Sequence, residues 1–177
     1  MRIISGKYKG RRLNVPKKLP VRPTTDMAKE ALFNILIHRY NFQDLMILDL
    51  CSGTGNIAYE FSSRGAKNVV AVDKEIRCVK FIEQTASNFE MSIDAIKGDV
   101  FSFLEHTSQK FDIVFADPPY ALDSEEFERI AQLVFERKLL NPEGLLIIEH
   151  SKHTNLSNLK NFDEVKTYGG NCFSFFK

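Results

Sequence analysis

The chain has 177 residues, 44% hydrophobic and 27% charged, enough to bury one substantial core and too few for two full domains. No apolar run approaches the ~20 residues that cross a bilayer, and the opening Met1-Arg-Ile-Ile-Ser-Gly-Lys7 lacks the apolar stretch of a secretory signal, so the sequence reads as a soluble cytoplasmic protein without a membrane partner. Three scattered cysteines (Cys51, Cys78, Cys172) in no C-x-x-C arrangement, and four histidines (His38, His106, His150, His153) without ligand spacing, argue against a disulfide framework and against a bound metal.

The overall charge of +1 conceals an asymmetry that begins at the first element. Eight basic residues, Arg2, Lys7, Lys9, Arg11, Arg12, Lys17, Lys18 and Arg22, precede the first acid, Asp26, and leave 16 Lys and Arg against 23 acids in the remainder. A cationic arm on an acidic body predicts a polyanion held at one edge, because clustered cations gain affinity by releasing counterions condensed on phosphates. The arm, Arg2 to Pro16, alternates Gly6 and Gly10 with Ile3, Ile4, Tyr8, Leu13 and Val15, a pattern for a short hairpin or two edge strands. Two prolines make Lys17 to Pro23 a linker, so the chain divides into an arm and linker (1–23) and one domain (24–177). Thr24, Thr25 and Asp26 offer cap side chains to a helix reaching about Tyr40, with Ala28, Ala31, Leu32, Ile35 and Leu36 on its buried face.

From Leu45 onward short apolar runs alternate with longer amphipathic stretches, the signature of a parallel sheet with crossover helices. Strands are predicted at 46–50, 69–72, 93–96, 111–116 and 145–149, and helices at 56–63, 75–88, 100–104 and 124–138. A closing pair of strands, 163–168 and 171–176, turns at Gly169-Gly170. The fold class is therefore doubly wound α/β, in which ligands sit at the carboxyl ends of the strands.

Two strand ends carry chemistry. The first runs Asp49-Leu-Cys51-Ser-Gly53-Thr-Gly55-Asn56 into a helix, and the two glycines permit close approach of a ligand to main-chain amides at a helix N-terminus. Asp73 ends the next strand about 20 residues on, placed to accept from both hydroxyls of a ribose. That spacing serves a dinucleotide as well as S-adenosylmethionine. Asp49 tilts the choice, since a carboxylate ahead of the loop repels a pyrophosphate and attracts an ammonium, and Asp99 is placed for an adenine amino group.

The fourth strand ends in Asp117-Pro118-Pro119-Tyr120. An exocyclic base nitrogen is a poor nucleophile because its lone pair is delocalised into the ring. The Asp117 carboxylate and the Pro118 carbonyl can each accept one N–H, prolines fix those acceptors in place, and Tyr120 can stack on the base. No neutral-pKa base is needed when the electrophile is already cationic.

Asp49-Leu-Cys-Ser-Gly-Thr-Gly with Asp117-Pro-Pro-Tyr resembles the class I S-adenosylmethionine-dependent amino-methyltransferases, and Arg2-Ile-Ile-Ser-Gly-Lys-Tyr-Lys-Gly-Arg-Arg-Leu with Val21-Arg-Pro-Thr-Thr-Asp-Met-Ala-Lys-Glu-Ala-Leu-Phe-Asn34 resembles the RsmD family over essentially the whole chain. The resemblance implies a Rossmann-like class I methyltransferase fold, its doubly wound, mostly parallel sheet closed by an antiparallel C-terminal strand and extended by an N-terminal hairpin. It implies methylation of the 2-amino group of one guanine in 16S ribosomal RNA, with that RNA or the small ribosomal subunit as partner, by a protein acting as a monomer. Carried over, Gly53 and Gly55 line the cofactor's amino acid part, Asp73 its ribose and Asp99 its adenine. Asp49, Cys51, Asn56, Lys74 and Val100 complete that pocket, and Asp117, Pro118, Pro119 and Tyr120 are catalytic. Arg22 and Thr24 lie near the methionine carboxylate or the RNA, and Lys7, Lys9, Arg11, Arg12 and Arg22 meet phosphates. The Phe-rich segment Tyr168 to Lys177 departs from the family pattern and reads as a core-facing edge hairpin. A DNA adenine-N6 methyltransferase, a non-catalytic RNA-binding assembly factor and a nicotinamide-dependent oxidoreductase are the rival readings.

Overall fold

A computed structural model describes residues 1–16, 19, 25–119 and 123–177. In chain order the elements are α1 (Asp26–Leu36), β1 (Met46–Leu50), α2 (Asn56–Ser63), β2 (Asn68–Asp73), α3 (Ile76–Asn88), β3 (Ile93–Lys97), α4 (Val100–His106), β4 (Phe111–Ala116), α5 (Ser124–Glu136), β5 (Leu140–Ser151), β6 (Phe162–Tyr168) and β7 (Asn171–Phe176). The strands form one sheet in the order β3-β2-β1-β4-β5-β7-β6. The first five run parallel, and β7 is antiparallel to both β5 and β6. The chain winds outward from β1 to β3 and then crosses back to β4, so the crevice of this topology opens at the carboxyl ends of β1 and β4.

Side-chain alternation divides the core in two. Ile47, Val69, Ala71, Ile113, Phe115, Leu145, Ile147, Phe173 and Phe175 pack with Leu32, Phe33, Leu36, Ile57, Phe61 and Ile82 on the side of α1, α2 and α3. Leu48, Leu50, Val70, Val72, Val114, Ala116, Leu146 and Ile148 pack with Leu104, Phe127, Ile130 and Val134 on the side of α4 and α5. Both faces of the central strands are covered, which is why MILDL, VVAV and IVFA read as near-continuous apolar runs. Odd-numbered positions of β1, β2, β4 and β5 thus face α1, α2 and α3, and this parity places the acids at the strand tips.

The arm takes the hairpin option and does not join the sheet. It pairs with itself through Ile3 N to Arg11 O (3.0 Å), Gly10 N to Ile3 O (2.8 Å) and Leu13 N to Met1 O (3.0 Å), with a single bridge between Arg2 and Arg12. Its turn lies on the end of α2, where Lys7 N donates to Ser63 O (2.7 Å) and Tyr8 N to Ser63 Oγ (3.0 Å). Gly6 has φ +83°, and a Cβ there would fall 1.8 Å from Ser63 O, so glycine is required by that contact.

Several elements differ from expectation at their ends. α1 stops at Leu36, and the chain turns so that Phe42 reaches Phe33 and Phe61, with ring centroids 5.8 Å and 5.9 Å apart. α5 ends at Glu136, and Lys138 takes φ +54°. β5 begins at Leu140 because the Leu140-Asn-Pro-Glu-Gly144 turn is absorbed into the strand as a register shift, with Phe111 opposite Leu140 and Ile113 opposite Leu145. Among the described residues no helix is long and apolar enough to cross a membrane, and no group of three or more potential metal ligands occurs.

Candidate active site

A cavity of about 750 Å³ opens at the carboxyl ends of the parallel strands. Asp49, Cys51, Gly53, Asn56, Asp73, Lys74, Asp99, Val100, Asp117, Pro118 and Pro119 all line it, so the structure gathers most of the residues read from the sequence into one cleft. Gly55 lies behind its wall; it has φ +80°, and a Cβ there would meet Ile82 Cγ1 and Tyr59 Cζ at 2.9 Å. Its glycine is therefore demanded by backbone conformation and helix packing rather than by a ligand. Arg22, Thr24 and Tyr120 lie outside the described residues. Lys7, Lys9, Arg11 and Arg12 are exposed on the arm, away from the cleft.

The loop from β1 into α2 is held rigidly by backbone and carboxylate bonds. Ser52 N donates to Val72 O (3.1 Å), Gly55 N to Ser52 O (2.7 Å) and Gly53 N to the Asp73 carboxylate (2.8 Å). The other Asp73 oxygen accepts from Glu75 N (2.8 Å), so this acid ties the loop to the start of α3 as well as facing the cavity. Cys51 and Gly53 hold φ of +56° and +52°, in the left-handed region. Gly55 is the N-cap of α2 and offers no side chain, which leaves the helix's opening amides to other partners. One is taken by Asp49, whose carboxylate accepts from Ala58 N (3.1 Å).

Asp49 is 1% exposed, and burial pushes its carboxyl up to about 8, against the lowering effect of the Ala58 bond and with help from Asp73 and Glu149. The Cys51 thiol is likewise pushed up by burial and then by Asp73, so it is inert as a nucleophile near neutrality. Asp99 combines two duties: it caps α4 through Ser102 N (3.0 Å) and faces the cavity. The side chain of Ser52 is buried at the cavity wall, and its hydroxyl has no partner among the described residues.

Asp117 follows β4, and its amide continues the ladder onto Leu50 O (3.2 Å). Asp117 and Asp49 are both odd positions on neighbouring strands, so both side chains face α1 and α2. Burial first, then Glu149 and Asp49, raises the Asp117 carboxyl well above the ordinary range. Sequence reasoning missed Glu149, which ends the apolar run of β5, is 1% exposed and lines the same cavity; Asn171 Nδ2 donates to its Oε1 at 2.6 Å. The available signal was its position as the acid closing a buried run, in the parity of Asp117. Asn171, Ser52, Phe101 and Thr25 also line the cleft and were not singled out.

Behind α2 a buried polar cluster joins the arm to the cleft. Lys29 Nζ donates to Arg2 O and to Asn56 Oδ1 (both 2.7 Å) and lies 3.6 Å from Glu60. Glu60 accepts from Ile4 N (2.8 Å), Ser5 N (3.0 Å) and Arg64 Nε (2.8 Å). Burial lowers the Lys29 ammonium, with Glu60 opposing.

A family model described as conserved hypothetical protein 95 matches residues 1–177. Ribosomal RNA small subunit methyltransferase D of Escherichia coli K12 is 31% identical over 151 residues, covering 84% of this chain and 74% of the relative. The solved structure of a hypothetical protein of Thermus thermophilus superposes with a TM-score of 0.86 at 26% identity, covering 100% of this chain and 99% of the other. A 16S rRNA N2 G1207 methyltransferase of T. thermophilus, solved with AdoMet and guanosine, shares the fold at TM-score 0.71 and 19% identity, over 87% of this chain and 43% of its own.

Proposed function

The chain belongs to the conserved hypothetical protein 95 family, that of the RsmD-type ribosomal RNA methyltransferases, and from that membership we propose that it transfers a methyl group from S-adenosylmethionine to the exocyclic 2-amino group of a guanine in 16S ribosomal RNA. The observation that carries this reading is the cleft that buried Asp49 and half-buried Asp117 line together at the tips of neighbouring strands.

The residues present suit the cofactor. Asp49 would hold an ammonium group, the start of α2 and the Ser52 hydroxyl the amino acid's polar atoms, Asp73 the ribose and Asp99 the adenine. Cys51, Gly53, Asn56, Lys74 and Val100 form the walls, and Arg22 and Thr24 serve the methionine carboxylate or the RNA. When bound, S-adenosylmethionine supplies a methyl group on a cationic sulfonium. The chain's own task is then to present the amine. Asp117 and the Pro118 carbonyl each accept an N–H, which favours a localised nitrogen lone pair, and Pro118 and Pro119 restrict the backbone that carries both acceptors. Tyr120 stacks on the base, and a carboxyl raised by burial is a fit acceptor for the proton that the amine sheds.

The arm and linker (1–23) grip phosphates through Lys7, Lys9, Arg11, Arg12 and Arg22, while 24–177 carries the chemistry. The same reading has the protein act as a monomer in the cytoplasm, where ribosomal RNA is available to it. Labelled S-adenosylmethionine supplied with small ribosomal subunits lacking the modification, or with DNA, tests the reading. Label at N2 of a single 16S guanine, mapped by mass spectrometry, is expected; label in DNA alone contradicts it.

A further inference from the structure

The register of the parallel strands β4 and β5 ends with Ala116 opposite Ile148, and Asp117 and Glu149 are the residues that follow that last pair. Both line the cavity, Glu149 is 1% exposed, and their proximity is felt electrostatically, since Glu149 is the first charge to raise the Asp117 carboxyl after burial itself. Asn171, at the start of β7, donates to Glu149 Oε1 at 2.6 Å and fixes the direction of that carboxylate. A carboxylate offers up to about four acceptor positions, and Asn171 takes one of those on Glu149.

Two acids lining one cleft, one of them fully buried, favour an arrangement of donors facing them. The base edges that carry an exocyclic amine differ in this respect. Guanine presents adjacent donors, the ring N1–H and the 2-amino group. Adenine presents its 6-amino group beside an unprotonated N1, an acceptor whose lone pair would oppose a carboxylate.

Building on the reading that this cleft methylates an exocyclic amine, we infer that Glu149, oriented by Asn171, is the specificity-determining residue that accepts the N1–H of the target guanine while Asp117 accepts from its 2-amino group. The pair of carboxylates thus selects guanine over any base whose ring nitrogen beside the amine is unprotonated. No bond is made or broken by Glu149; it reads the base that Asp117 presents.

Small subunits reconstituted with 16S RNA carrying either guanine or 2-aminopurine at the methylated position test this, because 2-aminopurine keeps the amine and lacks the N1–H. The wild type is expected to prefer guanine by roughly 10⁴-fold in kcat/KM, the scale on which a site built around a hydrogen bond rejects an analogue without it. Glu149→Gln, whose amide can donate to an unprotonated N1, is expected to lower kcat/KM on guanine about 10²-fold and to bring the two substrates within about tenfold of each other. Its affinity for S-adenosylhomocysteine stays at the wild-type value. Asn171→Ala keeps the carboxylate without its donor and moves the ratio the same way by a smaller factor, so it decides the matter if Glu149→Gln fails to fold. A preference for guanine unchanged in both variants overturns the inference and leaves the proposed function standing. A wild type that methylates no guanine in the guanine-bearing subunits overturns both.

Discussion

Burial raises the Asp49 carboxyl to about 8 because a charge in that position loses more hydration than the Ala58 bond returns. An ammonium group can use Asp49 only as the anion, so binding near neutrality releases a proton. The affinity for S-adenosylhomocysteine is expected to rise between pH 6 and 8 by up to tenfold per unit, and calorimetry in buffers of differing ionisation enthalpy is expected to report close to one proton released at pH 7. Asp49→Asn should bind more weakly and lose this dependence. The same shift acts on stability with a fixed sign. A folded value above the unfolded value of about 3.9 gives a contribution present in full below pH 4 and lost as pH rises through 8. The melting temperature of the cofactor-free protein should therefore fall over that interval, and less so in Asp49→Asn. This acid was read from the sequence as a cation partner, whereas its raised value follows from a burial that only the packed sheet reveals. Glu149 was not legible, because an acid at the end of an apolar run acquires meaning only once the sheet brings it into the same cleft as Asp117.

At the scale of elements, the hydrophobic rhythm specified the interior strands and helices well, since each is a run whose period matches its burial. Boundaries were lost where local chemistry and tertiary structure disagree, as in β5, whose Pro142 and Gly144 read as a turn yet sit in a bulged strand. The glycine loop before α2 was read as a ligand-approach device, and for Gly53 the cleft agrees, but Gly55 answers to its left-handed φ and to Tyr59 and Ile82. Gly55→Ala is expected to cost at least about 2 kcal/mol, from backbone strain and overpacking together, measurable by urea unfolding. The α1–α2 link makes a second demand. Lys29→Met removes donors from Arg2 O and Asn56 Oδ1 and weakens the surroundings of buried Glu60, for an expected loss of about 3 kcal/mol by the same assay. Apart from the Glu60–Arg64 pair, that cluster joins residues 27 or more apart in sequence, and no local pattern announces it.

For the whole molecule, the arm is both clamp and polyelectrolyte. Its backbone and the apolar residues Ile3 and Leu13 are spent on α2 and the core, while Lys7, Lys9, Arg11 and Arg12 remain exposed. Replacing Arg11 and Arg12 by Ala should weaken RNA binding across sequences and reduce the slope of log affinity against log salt by about 2. An unchanged slope would assign the arm a structural role alone. The division of cationic arm from acidic body could be counted along the chain, but the docking of that arm onto α2 rests on Gly6 and Ser63 meeting in space. The central claim, that Asp117 presents an amine to a separately held methyl donor, is tested most directly by Asp117→Ala, assayed for methyl transfer and, by calorimetry, for S-adenosylhomocysteine binding. Loss of transfer by at least about 10³-fold with cofactor affinity within a few fold of wild type is predicted; undiminished transfer would contradict it.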